Sequence, residues 1–162
     1  MQREIRAKIV EKLLDDATLY PGLVPGGIYD RRLKQGKGQG ATAGAFIIRP
    51  GDPAKVPYLQ PSIVVFGPNE VQAVDGPQGL GGLVLRTGFL RFHYYVPADA
   101  EHKTLLDQID ARIRWNLNGK QIQLSSGYPI TFQELEAAED IDSEEFPGTI
   151  MSMRRYVGEY LK

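Results

Sequence analysis

Apolar residues recur at helical spacing in two stretches of the chain. In residues 2–16 and again in residues 99–118, they follow one another at steps of three and four, which places them on one side of a helix. They are Ile5, Ile9, Val10, Leu13 and Leu14 in the first stretch and Leu105, Leu106, Ile109, Ile113 and Leu117 in the second. Asp99 can accept backbone N–H bonds at the start of the second helix, and Asn118-Gly119 can end it. The pattern predicts two amphipathic helices.

Apolar runs with the spacing of strands occupy much of the remaining chain. The clearest covers residues 84–96, where the apolar Leu90, Phe92, Tyr94 and Val96 alternate with Arg91, His93 and Tyr95. Gly88 in this run predicts a bulge. Further strands are predicted at 27–31, 45–48, 62–66, 121–124, 130–135 and 149–160. The last of these is expected to be a long, exposed edge that pairs with a neighbouring molecule.

Glycine and proline interrupt the chain between residues 35 and 82, where ten Gly and six Pro fall within 48 residues. This density predicts long loops at about 33–60 and 67–82, the second being either a loop or the tip of a long hairpin. The whole chain, 1–162, is expected to form a single α+β domain. In that domain two helices pack on one face of a mainly antiparallel sheet.

Composition narrows the function classes. The formal net charge is −1, so no overall charge attracts the chain to nucleic acid or to an acidic membrane. Cysteine is absent, which removes disulfides, thiolate metal sites and thiol nucleophiles. The N-terminal residues lack the apolar core of a signal peptide, and no apolar run approaches the roughly 18 residues of a membrane span. We expect a soluble protein that folds in the cytoplasm.

Candidate catalytic and cofactor motifs lack their required context. The glycines of residues 36–40 have the spacing of a dinucleotide-binding turn, but a strand-like run follows them instead of a helix. His93 and His102 could bind a metal together with Asp107, although no ligand spacing supports such a site. Ser125 has no nucleophile-elbow context. The sequence therefore predicts no enzyme, no cofactor, no catalytic residue and no metal site.

Charged residues form separate acidic and basic groups. Residues 134–145 contain seven acidic residues and no basic one, without the spacing of an EF-hand. Basic residues cluster near the first loop and on the last predicted strand. These groups could be ordinary solvated charges, a nucleic-acid surface or complementary contacts between like subunits. Few aromatic residues accompany the basic ones, which disfavours nucleic acid.

The order of several segments resembles the tail terminator proteins of long-tailed bacteriophages. The segments are residues 13–19, 25–31, 61–65, 89–118 and 149–157. The resemblance implies a structural virion protein made in the host cytoplasm. Six copies would form a ring at the head-proximal end of the tail tube, in contact with the tube protein and the neck or stopper protein. It implies no membrane and no specific nucleic-acid binding, although DNA could pass through the ring.

The segment 33–60 is longer than the link that is usual at this place in the family. Another head-tail connector, such as a neck, stopper or adaptor protein, is therefore an alternative. A small nucleic-acid-binding or metal-binding α+β domain is an alternative from a different class. For the ring, the residues expected at subunit or tube interfaces are Arg31, Arg32, Lys34, Lys37, Asn69, Glu70, Glu139, Asp140, Asp142, Arg154 and Arg155.

Overall fold

A computed structural model describes residues 2–35, 42, 44–48, 51, 57–69, 71–75, 83–127, 129–137 and 141–161. The helices are α1, Gln2–Leu14, and α2, His102–Leu117, and an irregular helical turn, Thr18–Leu23, follows α1. The strands are β1 Ile28–Tyr29, β2 Phe46–Ile47, β3 Tyr58–Leu59, β4 Ser62–Phe66, β5 Val71–Asp75, β6 Leu83–Thr87, β7 Leu90–Pro97, β8 Gln121–Gln123, β9 Pro129–Ala137, β10 Ile141–Asp142 and β11 Thr149–Leu161.

Nine of these strands form one sheet, and β2 and β3 pair separately. The main order is β1-β4-β7-β11-β6-β5. Strands β9 and β10 both pair with β11, and β8 extends the sheet beyond β9. Every pair of named strands is antiparallel except β1–β4. The predicted α+β class with a mainly antiparallel sheet is confirmed.

A long hairpin dominates the sheet. Strand β4 pairs with β7, from Ser62 opposite Tyr95 to Phe66 opposite Arg91, and farther along the same two lines β5 pairs with β6. Residues 62–69 and 71–75 thus form one side of a hairpin and residues 83–97 the other, and the named strands are interrupted at 67–69 and 88–89. Of the two alternatives predicted for 67–82, the hairpin is the one observed at Val71–Asp75, and the loop is wrong there because this segment gains its backbone hydrogen bonds from β6. Residues 76–82 lie outside the described part of the chain.

A bulge separates β6 from β7 at the predicted glycine. Leu90 pairs with Tyr156 and Arg86 with Glu159, so four positions on one strand face three on the other. The extra residue lies at 88–89, as the prediction for Gly88 required. At the bulge the Gly158 N–H donates a hydrogen bond of 2.8 Å to Thr87 Oγ1.

Both helices cover the same face of the sheet, which we call the helix face. Their apolar sides pack against the inward residues of β4, β7, β8, β9 and β11 in one continuous core. The buried members predicted from sequence are Leu90, Phe92, Tyr94, Ile109 and Ile113. Asp16 links the helices at their ends, where its carboxylate accepts hydrogen bonds from Arg112 and Asn116. The Arg112 guanidinium, as the main cause, lowers the pKa of Asp16.

The opposite face of the sheet, which we call the open face, is only partly covered. A smaller cluster consists of Leu33, Ala45, Leu59, Val64, Tyr95 and Phe146. The described part of segment 33–60 therefore packs onto the sheet and includes β2 and β3, which corrects the expectation of one long loop. Apolar side chains at Ala45 and Leu59 explain the docking, because their burial removes them from water.

Two further predictions are corrected. Helix α2 begins at His102, later than predicted, with Glu101 and not Asp99 in the capping position; Asp99 Oδ1 does accept a backbone hydrogen bond there as predicted, from the Glu101 N–H at 3.0 Å. Strand β11 is not an edge, because β6 and β7 pair with one side of it and β9 and β10 with the other. Its backbone is therefore already paired within the subunit along most of its length. It cannot serve as the free edge that we expected to join a neighbour.

Candidate assembly surface

Arg154 and Arg155 are adjacent on β11 and point to opposite faces of the sheet. On the helix face, Arg154 Nε and Nη2 donate to Asp110 Oδ1 and Oδ2 at 2.6 and 2.7 Å, a bidentate pair with α2. Arg154 Nη1 also donates to the backbone oxygen of Leu135 at 3.0 Å. Only 11% of the Arg154 side chain is exposed. Arg154 therefore holds the helix to the sheet within the subunit, and its role at an interface stays a prediction.

Other polar groups complete this buried network. The Tyr94 hydroxyl donates to Asp110 Oδ1 at 2.9 Å, and burial together with that carboxylate raises the pKa of Tyr94. The carboxylate of Asp110 raises the pKa of Arg154 through the hydrogen bonds that it accepts. Glu134 joins from β9 and pairs with Arg114 of α2. Glu134, the first residue of the acidic stretch 134–145, thus forms its ion pair within the subunit.

Arg155 lies on the open face, beside a groove of about 600 Å³. We call this the arginine groove, and its residues include Arg86, Phe89, Arg91, Arg155, Val157 and Glu159. They come from β6, β7, β11 and the bulge at 88–89, so the bulge brings Phe89 into the groove. The Phe89 side chain is half exposed. An open groove with apolar and cationic walls is typical of a protein-binding surface.

Two arginines occupy opposite positions on neighbouring strands in the arginine groove. Arg91 and Arg155 are direct cross-strand partners on the same face of the sheet. Each guanidinium lies over an aromatic ring, Arg155 at 4.7 Å from the Phe89 centroid and Arg91 at 5.7 Å from that of Phe66. Arg86 adds a third guanidinium, paired with Glu159 at 2.7 Å. The groove thus concentrates positive charge.

The other predicted interface residues are dispersed. Arg31, Arg32 and Lys34 are exposed in the segment after β1, whereas Asn69 lines the arginine groove. Asn69 also accepts a 2.7 Å hydrogen bond from Gln2 through its backbone oxygen. Asp142 lies in β10, an outer strand beside β11. The predictions at Lys37, Glu70, Glu139 and Asp140 lie outside the described residues.

One basic and one acidic group meet within a single subunit. Arg32 Nε lies 3.6 Å from Glu145 Oε1, and both side chains are well exposed. Such an exposed pair contributes about 1 kcal/mol or less. The Arg32–Glu145 pair can therefore break, and its side chains can contact another molecule, at little cost in free energy.

The two histidines lie on different sides of the sheet. His93 is on the open face against the Phe66 ring, whereas His102 begins α2 and its Nδ1 is 2.5 Å from the backbone oxygen of Asp99. They do not converge on a shared site. Across the described residues, no three potential His, Cys, Asp or Glu ligands come together.

His93 makes the fold sensitive to acid. Burial, with the nearby charge of Arg91, lowers the pKa of His93 to about 4, from an ordinary value of 6.5. Between these values the unfolded chain binds the proton that the folded chain excludes, so stability falls as pH falls. We expect the wild type to lose about 2 kcal/mol more than His93→Gln between pH 7 and pH 4, less than full linkage because the side chain is partly exposed. Urea denaturation across this range measures the difference, and parallel pH profiles would contradict the assignment.

Sequence reasoning named Arg155 as an interface residue but did not group it with Arg86, Phe89 and Arg91 on one surface. The alternation in β7 had already placed Arg91 on the face away from Phe92 and Tyr94. The register between β7 and β11, which sets Arg91 opposite Arg155, joins residues 64 positions apart. No local pattern encodes such a register.

Within the described part of the chain, neither helix has the length and apolar character needed to cross a membrane. No family model matches the sequence, and no curated protein sequence matches it. The structure is similar to a chain of a solved structure described as "Virion of native gene transfer agent (GTA) particle". The match covers 99% of this chain and 96% of that chain, with a TM-score of 0.60 and 14% sequence identity. At this identity the two chains are shown to share a fold, and the likeness extends over almost the full length of both.

Proposed function

We propose that this chain is a structural protein of a phage-like virion, and specifically the tail terminator. One observation carries the proposal: its fold matches, over almost the full length of both chains, a chain from a gene transfer agent virion. That match supports the virion role alone, and the narrower tail terminator assignment rests on the ordered sequence segments that resemble tail terminators. Six copies would form a ring at the head-proximal end of the tail tube, between the tube protein and the neck.

The geometry of the subunit suits a ring. A closed ring is built from heterologous contacts, in which one patch of each subunit meets a different patch of the next. The chain carries such unlike patches, since the arginine groove is cationic and residues 134–145 are acidic. A rigid core under two helices holds these surfaces in fixed relation.

Deleting the gene for this chain tests the proposed role. We expect heads and tails to form separately, with tail tubes of uncontrolled length, because nothing would stop tube growth or offer a surface to the neck. Negative-stain electron microscopy of the lysate measures tube length and attachment. Restoring the wild-type gene is the control and should return tails of one length on filled heads.

Cryo-electron microscopy of the native particle locates the chain directly. A sixfold ring of this subunit where the tube meets the neck is the expected result. Density for the chain in the neck itself, on the head side of a different ring, would favour a stopper or adaptor role. Normal, head-attached tails in the deletion strain would remove the terminator assignment.

A further inference from the structure

We propose that strand β5 of one subunit pairs with strand β8 of the next, so that the sheet continues from copy to copy. This inference rests on the proposed ring and names one of its subunit contacts. Strand β5 is Val71–Asp75 and strand β8 is Gln121–Gln123. Among the described strands, β5 pairs with β6 alone and β8 with β9 alone. Each of the two strands therefore has one side on which no described strand lies.

The two free edges lie at the same level of the sheet, on opposite sides of it. The register of the strand pairs places Gln121, Thr131, Glu159, Arg86 and Gln72 in one row, which runs in the order β8-β9-β11-β6-β5. A second copy that brings its own β5 beside β8 continues this row. Because the contact joins unlike edges it is heterologous, and the second copy still offers its β8 to a third.

The alternation of the backbone shows which groups of β8 face the free side. Phe132 of β9 donates its N–H to the Lys120 oxygen at 3.2 Å, so its backbone groups point toward β8. Ile130, two residues away on β9, points the same way and lies opposite Ile122. The N–H and C=O groups of Ile122 are therefore directed to β9. Those of its two neighbours in β8 are directed to the free side.

The same alternation orients β5. Gly158 of β11 directs its N–H toward β6, and Tyr160, two residues on, does the same opposite Leu85. The next residue of β6, Arg86, therefore directs its backbone groups to β5, where it lies opposite Gln72. The N–H and C=O groups of Gln72 are thus directed to β6, and those of its neighbours in β5 face the free side.

Neither edge carries the residues that commonly keep an exposed edge from pairing. Natural edge strands are often protected by lysine or proline. Strand β8 contains only Gln, Ile and Gln, and the single charged residue of β5 is Asp75 at its end. Helix α1 leaves β8 open, because a groove of about 270 Å³ lies between charged residues of α1 and β8, and Gln121 and Gln123 are exposed. Strand β8 is short, so the contact orients neighbouring copies while other surfaces add to it.

The strand directions also suit a ring. Each pair along the row from β8 to β5 is antiparallel, so β5 and β8 run in the same direction within one subunit. Rotation about an axis parallel to the strands keeps this direction, and neighbouring copies then meet with β5 and β8 parallel. Pairing of β8 with another β8 would instead require a two-fold axis and would stop at a dimer.

Hydrogen–deuterium exchange at single-residue resolution tests the proposal on the unmodified chain. In the dilute free subunit the amides of Gln121, Gln123 and Ala73 should exchange quickly, whereas β9 and β6 protect those of Ile122 and Gln72. In the native particle we expect the three outward amides to exchange on the order of a hundredfold more slowly, with little change at the other two.

Two results of the exchange experiment would overturn the proposal. Protection that appears at β8 but not at β5 would mean that a second β8 or a different protein covers β8. Protection at neither edge, in a particle that contains the ring, would reject the edge contact and leave the terminator role intact. A particle without a ring of this chain would instead remove the terminator role itself.

Proline substitutions with matched controls test the same hydrogen bonds. Gln123→Pro and Ala73→Pro each remove one outward N–H at a strand edge, whereas Gln123→Ala and Ala73→Val keep it. Both substitutions of Gln123 lose its side-chain hydrogen bond to the Gly127 oxygen, so this loss cancels in the comparison. In the deletion strain we expect each proline variant to give on the order of tenfold fewer head-attached tails than its control.

Urea denaturation of the purified variants separates assembly from folding. Folded proline variants that yield as many head-attached tails as their controls would overturn the proposal. If a proline variant does not fold, the exchange measurement on the unmodified chain decides.

Discussion

Replacing Arg154 with leucine should lower the free energy of unfolding by about 3 kcal/mol or more. The change removes both hydrogen bonds that hold Asp110 and leaves its carboxylate, only 20% exposed, with Tyr94 alone. It also frees the backbone oxygen of Leu135. Leaving the Asp110 carboxylate without its charged partner lowers the free energy of unfolding by more than burial of the leucine side chain raises it. Urea denaturation followed by far-UV circular dichroism measures the loss.

Arg155→Leu is the matched control for this prediction. It makes the same substitution one position along β11, on the open face, and should cost about 1 kcal/mol or less. The double variant Arg154→Leu/Asp110→Leu should recover part of the stability, because both partners of the buried pair are then apolar. Equal losses for Arg154→Leu and Arg155→Leu would contradict the structural role given to Arg154.

The contrast between these two arginines shows what a sequence pattern can and cannot predict. The period of two in β7 correctly separated Leu90, Phe92 and Tyr94 from Arg91 and His93, because alternation is a local property of a strand. In β11 the apolar signal is weaker, since Arg154 occupies an inward position. In a sequence, a buried arginine cannot be told from a surface arginine until its partner is known. The partner of Arg154 is Asp110, which is 44 positions away.

Strand positions within the sheet were beyond local patterns for a similar reason. The helices, the bulge at Gly88 and strand 62–66 follow from spacing and from glycine, and they were predicted close to where they occur. Whether β11 is an edge or a centre depends on which strands pair with it, and β6, β7 and β9 all come earlier in the chain. The arginine groove depends on the same pairings, because its residues come together only when the register of these strands is set.

Gly67→Ala should destabilise the fold by about 2–4 kcal/mol, through the junction that joins the two parts of the long hairpin. Gly67 has φ +79°, a conformation that costs a non-glycine residue about 1 kcal/mol or more. A Cβ there would also lie 2.5 Å from the backbone oxygen of Phe89, so the opposite side of the hairpin must move. Overpacking of this kind adds about 1–3 kcal/mol.

Gly119→Ala separates the two causes of that loss. Gly119 also has a positive φ, +69°, but a Cβ there meets no atom within 4 Å, so only the backbone strain remains and the cost should stay near 1 kcal/mol. If the two substitutions destabilise the fold equally, the hairpin can move away from the new Cβ at Gly67 without further cost. The arginine groove would then not be held rigid by the Gly67 junction.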